Sequence, residues 1–301
     1  MSAETLVLAT RRSALALAQA RAFMAALRQV RPDVELSELH VTTTGDRVQD
    51  RALSEIGGKG LFIKEIEQAL LAGRARLAVH SYKDVPAVLA PGLTIACVPA
   101  REDPRDVLVT RSGDRLEELP KGARVGTSSL RRRVQLLRFR PDLEIVALRG
   151  NVDTRLRKCT EGEVDAVVLA AAGLNRLGLA DRITHALDPE ICLPAIGQGA
   201  LAIEVRSADA CAAELLRPLN DSETAVAAAA ERGVMTAVEG SCQVPLGGYA
   251  VREGDHLWLR AWLSEPDGGR YRLREGRWPW TEDLFEAQAR GQELGAALKG
   301  G

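Results

Sequence analysis

The chain has 301 residues, room for two domains of ordinary size and a third small one. Hydrophobic residues make up 46% and charged residues 27%, which sets aside disorder, collagen and coiled coil, and no apolar run approaches the ~18 residues of a membrane span. Forty Lys and Arg against 41 Asp and Glu leave a net charge of -1, so no global field draws nucleic acid or acidic lipid, and aromatics at 4% offer few platforms for stacking bases.

Near the start, Arg11-Arg12 and the Ala14 to Leu17 run mimic a secretory signal, but Gln19 and Arg21 interrupt the apolar stretch too early. A cytoplasmic location is the expectation. Short apolar runs then recur, each closed by a small polar corner and followed by helix-period sequence, the reading for βα units around a parallel sheet. Leu6 to Ala9 leads through Thr10-Arg11-Arg12-Ser13 into an Ala/Leu helix, and Leu77 to Val79 leads into His80-Ser81-Tyr82-Lys83-Asp84. Arg124-Val125 leads into Gly126-Thr127-Ser128-Ser129 and a helix from about Leu130; Ile145 to Leu148 leads into Arg149-Gly150-Asn151 and a helix through Arg155; Val164 to Leu169 feeds Ala170 to Arg176. In open α/β sheets ligands bind beyond the carboxyl ends of strands, where these corners collect.

Pro99 to Pro104 marks one crossing between two sets of units, and Leu193 to Gly197 a second, since Leu201 to Val205 reads again as strand. The predicted division is 1-99 with 200-217 as a first α/β lobe, 105-193 as a second, and 220-301 as a small α+β C-terminal domain, with a hinge and a cleft between the lobes. In the last domain Asn220 and Glu223 fit a capping box for an Ala-rich helix to about Val238, ended by Gly240. Gly248 to Arg252, His256 to Leu263 and Arg270 to Arg274 read as an antiparallel meander with turns at Gly254 and Gly268-Gly269, before a helix from Glu282 to Leu298.

Charge is the strongest signal for chemistry. Between Lys121 and Lys158 lie eleven basic side chains, nine of them Arg, against Asp142, Glu144 and Asp153, a local net of +8. Planar guanidinium forks suit two-point contacts with carboxylate or phosphate. For any single arginine a solvated helix face serves as well, because helical period spreads positions 131 to 133 around the axis. Arg131, Arg132, Arg149 and Arg155 together point to an anion site, since they fall in the first turns after strand ends. Asp84 places a carboxylate beside Lys83 at another strand end; taken alone it fits a turn residue, while in cationic surroundings it suits a developing positive charge or a proton in transit.

Five scattered cysteines and four separated histidines make no disulfide frame and no metal set. Cys242 follows a helix C-terminus, which supplies nothing to lower a thiol pKa, so on residues alone it reads as structural. Gly197-Gln198-Gly199-Ala200-Leu201-Ala202 fits a dinucleotide fingerprint but precedes a strand, and Gly57-Gly58-Lys59-Gly60 lacks the hydroxyl residue of a phosphate loop, leaving a lid as its reading.

Taken together, Ala9 to Ser13, Gly57 to Phe62, His80 to Pro86, Arg101 to Asp106, Gly126 to Arg132, Arg149 to Arg155, Leu193 to Glu204 and Gly240 to Gly247 resemble the porphobilinogen deaminase (hydroxymethylbilane synthase) family in order and content. Tyr82, where that pattern often has Met, and Cys159, where it often has Leu, depart from it without removing a functional group. The resemblance implies two lobes like those of periplasmic binding proteins, and condensation of four porphobilinogen molecules, with loss of ammonia, into hydroxymethylbilane. It implies a dipyrromethane cofactor held by a thioether to Cys242, whose thiol needs little activation against an electrophilic azafulvene. Two cofactor rings and four added rings bring twelve carboxylates, which gives the +8 segment a purpose. Carried over residue by residue, the resemblance makes Asp84 the catalytic group that binds pyrrole nitrogens and stabilises the cation. Lys83, Ser129, Arg131 and Arg132 would hold the cofactor. Arg11, Ser13, Arg149, Arg155 and Arg176 would hold substrate carboxylates, with Lys59 on a lid and Phe62 against a ring. A monomer that hands its product to a downstream tetrapyrrole enzyme, without nucleic acid, membrane or metal, is expected. The rival reading is an anion-binding module without catalysis, which needs neither Asp84 nor Cys242.

Overall fold

A computed structural model describes residues 5–47, 62–239 and 244–300. The backbone divides into two compact units, Met1–Arg101 with Ala200–Val226 and Glu102–Gly199 with Ala227–Gly301. The chain opens with β1 (Thr5–Arg11), α1 (Ala14–Val30), β2 (Glu35–Val41), the short α2 (Thr44–Arg47), α3 (Lys64–Leu71), β3 (Leu77–Ser81) and β4 (Leu93–Cys97). It crosses to β5 (Asp106–Thr110), β6 (Arg124–Gly126), α4 (Leu130–Phe139), β7 (Glu144–Val146), α5 (Val152–Thr160), β8 (Ala166–Ala170), α6 (Ala171–Arg176) and β9 (His185–Ala186). It then returns as β10 (Leu201–Arg206) and α7 (Ala210–Leu216), and ends with α8 (Ser222–Ala237), β11 (Leu246–Glu253), β12 (His256–Leu263), β13 (Arg272–Pro279) and α9 (Leu284–Gly300).

The first unit holds a five-stranded sheet in the order β2-β1-β3-β10-β4, and the second a sheet in the order β7-β6-β8-β5-β9. These orders are copies of one plan. Strands β1, β2 and β3 run parallel, as do β6, β7 and β8, but β10 is antiparallel to β3 and β4, and β5 is antiparallel to β8 and β9. The expectation of parallel sheets is therefore corrected to mixed sheets. The reason is connectivity: β5 and β10 are the strands that enter each sheet after a crossing, without a βαβ crossover to impose parallel direction.

Period-2 alternation sends side chains to both faces of each sheet. Leu6 and Leu8 pack with Phe23, Met24 and Leu27 of α1, while Ala9 packs with Ile66 and Leu70 of α3. In the second sheet Leu108, Val125 and Val168 face Leu136 of α4, and Val107, Val109 and Val167 face Leu156 of α5. Covering helices on both faces is what near-continuous apolar strands require.

The C-terminal strands form the expected meander, β11-β12-β13, with Gly254 and Gly268 at φ +59° and +91° in its turns. Helix α9 packs on β12 and β13. It also lies backbone to backbone against α8, where a side chain at Gly291 would strike the carbonyl of Ala230 and one at Gly233 the carbonyl of Gln288. The capping box at Asn220 and Glu223 is not formed. Asp221 caps α8 by accepting from the Thr224 amide at 2.8 Å, while Asn220 Oδ1 accepts from the Val98 amide at 2.9 Å. Asp221 stands one residue nearer the first turn and so takes the cap.

Candidate active site

In the first unit the candidate residues follow strand ends. Arg11 closes β1 and donates to Asp46 through Nε at 3.2 Å and Nη2 at 2.5 Å, while its guanidinium lies 4.2 Å from the centre of the Phe62 ring. Burial pushes the Asp46 carboxyl up, but Arg11 and Thr43 hold it below its ordinary range. Phe62 thus packs on a guanidinium. Ser13 is the cap of α1, its Oγ accepting from the Ala16 amide at 3.3 Å, which leaves its hydroxyl hydrogen able to donate elsewhere.

Asp84 closes the single 3-10 turn Tyr82–Asp84 that follows β3. That turn is anchored through the Tyr82 amide, which donates to Ala200 O at 3.0 Å, and closed by the Val85 amide donating to Tyr82 O at 3.0 Å. The Asp84 side chain is half-buried and carries no hydrogen bond or ion pair among the described residues. Lys83 beside it is also half-buried. A carboxylate held by its backbone yet unpaired at its oxygens is placed to accept from a ligand.

In the second unit the cations converge on an acid that the sequence reading did not single out. Asp106, the first residue of β5, is fully buried. Its Oδ2 lies 2.6 Å from Arg131 Nη1, and its Oδ1 accepts from Arg132 through Nε at 3.0 Å and Nη2 at 2.7 Å. Gln198 Nε2 donates to Oδ1 at 2.9 Å, and the Cys192 thiol donates to Oδ2 at 3.2 Å. Burial pushes the Asp106 carboxyl up, but Arg131 and Arg132 overcome it and hold the group far below the carboxylate range. Arg131 Nη1 also reaches Leu193 O at 2.5 Å, and Arg132 Nη1 reaches Val168 O at 2.8 Å. Both guanidiniums are buried and braced by the scaffold. Ser129 caps α4 by accepting from the Arg132 amide at 3.4 Å.

Arg149, half-buried, follows β7, and Arg155 lies in α5, its Nε donating to Gly150 O at 2.9 Å. Burial, then the charges of Arg132 and Arg149, push the Arg155 guanidinium down to about 10. Asp106 is thus the shared partner of Arg131 and Arg132, and Arg155 lies close enough to Arg132 and Arg149 to feel their charges. Arg176, ending α6, donates from Nη2 to Gly199 O at 2.7 Å, and burial lowers its pKa although Glu102 opposes the shift. Lys59, the lid reading of Gly57 to Gly60, and Cys242 lie outside the described residues. Cys97, Cys159 and Cys192 are buried and Cys211 is exposed, and no group of three or more potential metal ligands occurs among the described residues.

Asp106 and Gln198 were missed for different reasons. Asp106 opens an apolar strand and, in sequence, is one acid among several in Arg101 to Asp106. Gln198 sat inside a fingerprint that fails on context, and the strand after Gly199 upholds that failure.

Two α/β sheets share one plan; a half-buried carboxylate, Asp84, follows a strand of the first, and arginines gather in the first turns of helices of the second. A family model described as porphobilinogen deaminase, dipyromethane cofactor binding domain, matches residues 6–214, and one described as porphobilinogen deaminase, C-terminal domain, matches residues 225–300. Porphobilinogen deaminase from Sorangium cellulosum is 62% identical over 98% of this chain and 99% of its own length. The one from Syntrophotalea carbinolica is 52% identical over 89% and 85%. Among solved structures, the periplasmic VFT2 domain of Bordetella pertussis BvgS shows 19% identity and a TM-score of 0.40 over 70% of this chain and 85% of that one. The chain belongs to the porphobilinogen deaminase family. It is a transferase of tetrapyrrole synthesis that joins four porphobilinogen molecules head to tail into hydroxymethylbilane with release of ammonia, and it works with a dipyrromethane cofactor. The lowered pKa of Arg155, pushed down by burial and then by Arg132 and Arg149, marks cationic surroundings of a kind that suits a group carrying several carboxylates.

Proposed function

We propose that the cofactor is joined through Cys242, that Lys83, Ser129, Arg131 and Arg132 hold it, and that Arg11, Ser13, Arg149, Arg155 and Arg176 grip the carboxylates of incoming rings, with Lys59 and Phe62 contributing at the first unit. The cofactor, when bound, supplies a pyrrole carbon on which the chain is begun. In each condensation an aminomethyl C–N bond breaks, ammonia leaves, a C–C bond forms and the attacking pyrrole carbon loses its proton. Asp84 accepts from the pyrrole N–H groups, faces the positive charge left when the amine departs as ammonia, and takes the proton that the attacking carbon loses once the C–C bond has formed. Arg131 and Arg132 act as donors fixed in advance by Asp106, so little reorganisation attends binding.

The single observation that carries the Asp84 role is a half-buried carboxylate, without a hydrogen bond or ion pair among the described residues, on a turn anchored to Ala200 O. We further propose the division into lobes 1-99 with 200-217 and 105-193 and a domain 220-301, a monomer, a cytoplasmic location and release of product to a following tetrapyrrole enzyme. No helix among the described residues is long and apolar enough to cross a membrane.

Intact mass spectrometry of the denatured chain beside its Cys242→Ala variant tests the attachment. The expected result is an added mass of two linked pyrrole units that disappears with the thiol. A chain still unmodified after incubation with porphobilinogen or hydroxymethylbilane favours the anion-binding reading instead.

A further inference from the structure

Beneath the Asp84 turn, His80 and Glu204 form a buried pair, Nε2 to Oε2 3.0 Å, with side chains 4% and 1% exposed. Glu204 Oε1 is buried with no hydrogen-bond partner. Such a pair is a poor source of stability, because desolvation of two ionisable groups offsets their attraction and an apolar pair of similar volume serves as well or better. Its value is elsewhere.

Strand β10 runs against β3 with Leu201 opposite Ser81, Ala202 opposite His80 and Glu204 opposite Ala78, so the pair is a diagonal contact on one face. On its other edge β10 meets β4 with a shift of one residue between Ile203, opposite Cys97, and Glu204, opposite Ile95. A one-residue slip of β10 along β3 would turn Glu204 to the face opposite His80 and bury its carboxylate alone. The same register brings Ala200 O to the Tyr82 amide at 3.0 Å, the bond from which the Asp84 turn hangs.

We infer that His80 and Glu204 are positioning residues that key the register of β10 on β3 and so place the Asp84 turn. The inference rests on the reading of Asp84 as the catalytic carboxylate. The test replaces the pair by His80→Leu with Glu204→Met and measures Tm, kcat, KM and hydrogen exchange at the Tyr82 amide. The expected result is a Tm at or above wild type, a kcat lower by about 10- to 100-fold with KM nearly unchanged, and faster exchange at Tyr82. Wild-type kcat and Tyr82 protection in the folded double variant overturn the inference. Failure of that variant to fold overturns it too, because the pair then supplies stability rather than register. Asp84→Asn, run in parallel, separates the two claims. If it retains turnover, the reading of Asp84 falls and the Tyr82 exchange alone decides the register; if it loses turnover while the double variant does not, only the register claim falls.

Discussion

Arg132 places both its Nε and its Nη2 on one oxygen of Asp106, at 3.0 and 2.7 Å, and leaves the other oxygen to Arg131. A carboxylate shared in this way points both cations: consecutive arginines that would diverge around a helix are drawn to one buried anchor. Two cations on one anion still leave one positive charge in excess.

Removing that anchor should be severe. Asp106→Ala leaves two buried guanidiniums unpaired, and a loss of roughly 3–5 kcal/mol is expected in chemical denaturation. Cofactor loading, read by intact mass, should fall with it. A loss below about 1 kcal/mol would mean that solvent reaches the arginines.

The same carboxylate predicts an acid limit. Its folded pKa lies below the unfolded value of about 3.9, so its stabilisation is complete above that value and drains away as pH falls toward the folded pKa. Tm of the wild type should decline once pH drops below about 4, and Asp106→Asn should remove Asp106's share of that decline while lowering the Tm measured at neutral pH. An unchanged acid slope in the variant would assign the decline to other carboxylates.

Arg155 should show the opposite balance of stability and function. Because burial, Arg132 and Arg149 all disfavour its charge, Arg155→Leu is expected to leave Tm of the unloaded chain unchanged or raised while impairing loading or elongation. Arg149→Leu should likewise stall loading or elongation and preserve folding. Normal adduct masses and product yield would return either residue to a solvated-face role.

Gly291 and Gly233 let α8 and α9 meet at backbone distance. Gly291→Val should push the helices apart and cost on the order of 1–3 kcal/mol, measured as a fall in Tm. An unaltered Tm would mean that the helices separate without loss of packing.

Much of this was legible in the chain. His256 to Leu263 and Ala171 to Arg176 could be read almost to the residue, because alternation and small-residue corners are local signals. Strand β2 escaped since Glu35, Ser37, Glu38 and His40 hide its alternation, and β9 is two residues long. The antiparallel course of β5 and β10 depends on where the chain goes after each crossing, which no local pattern encodes. The arginines were legible as a charge surplus, but their anchor was not, because one buried aspartate in an acid-rich stretch looks like any other.

Strand exchange also sets the order in which a growing chain can finish its parts. All five strands of the second sheet come from residues 106 to 186, whereas the first sheet needs β10, made about a hundred residues after β4, to sit between β3 and β4. A nascent chain halted before residue 200 holds every strand of the second sheet but lacks the strand that joins β4 to β3 in the first. It also lacks Ala200, the anchor of Tyr82. The corner that presents Asp84 is therefore not anchored until residue 200 has been made, and a chain still in synthesis has its arginines in hand before that anchor is in place.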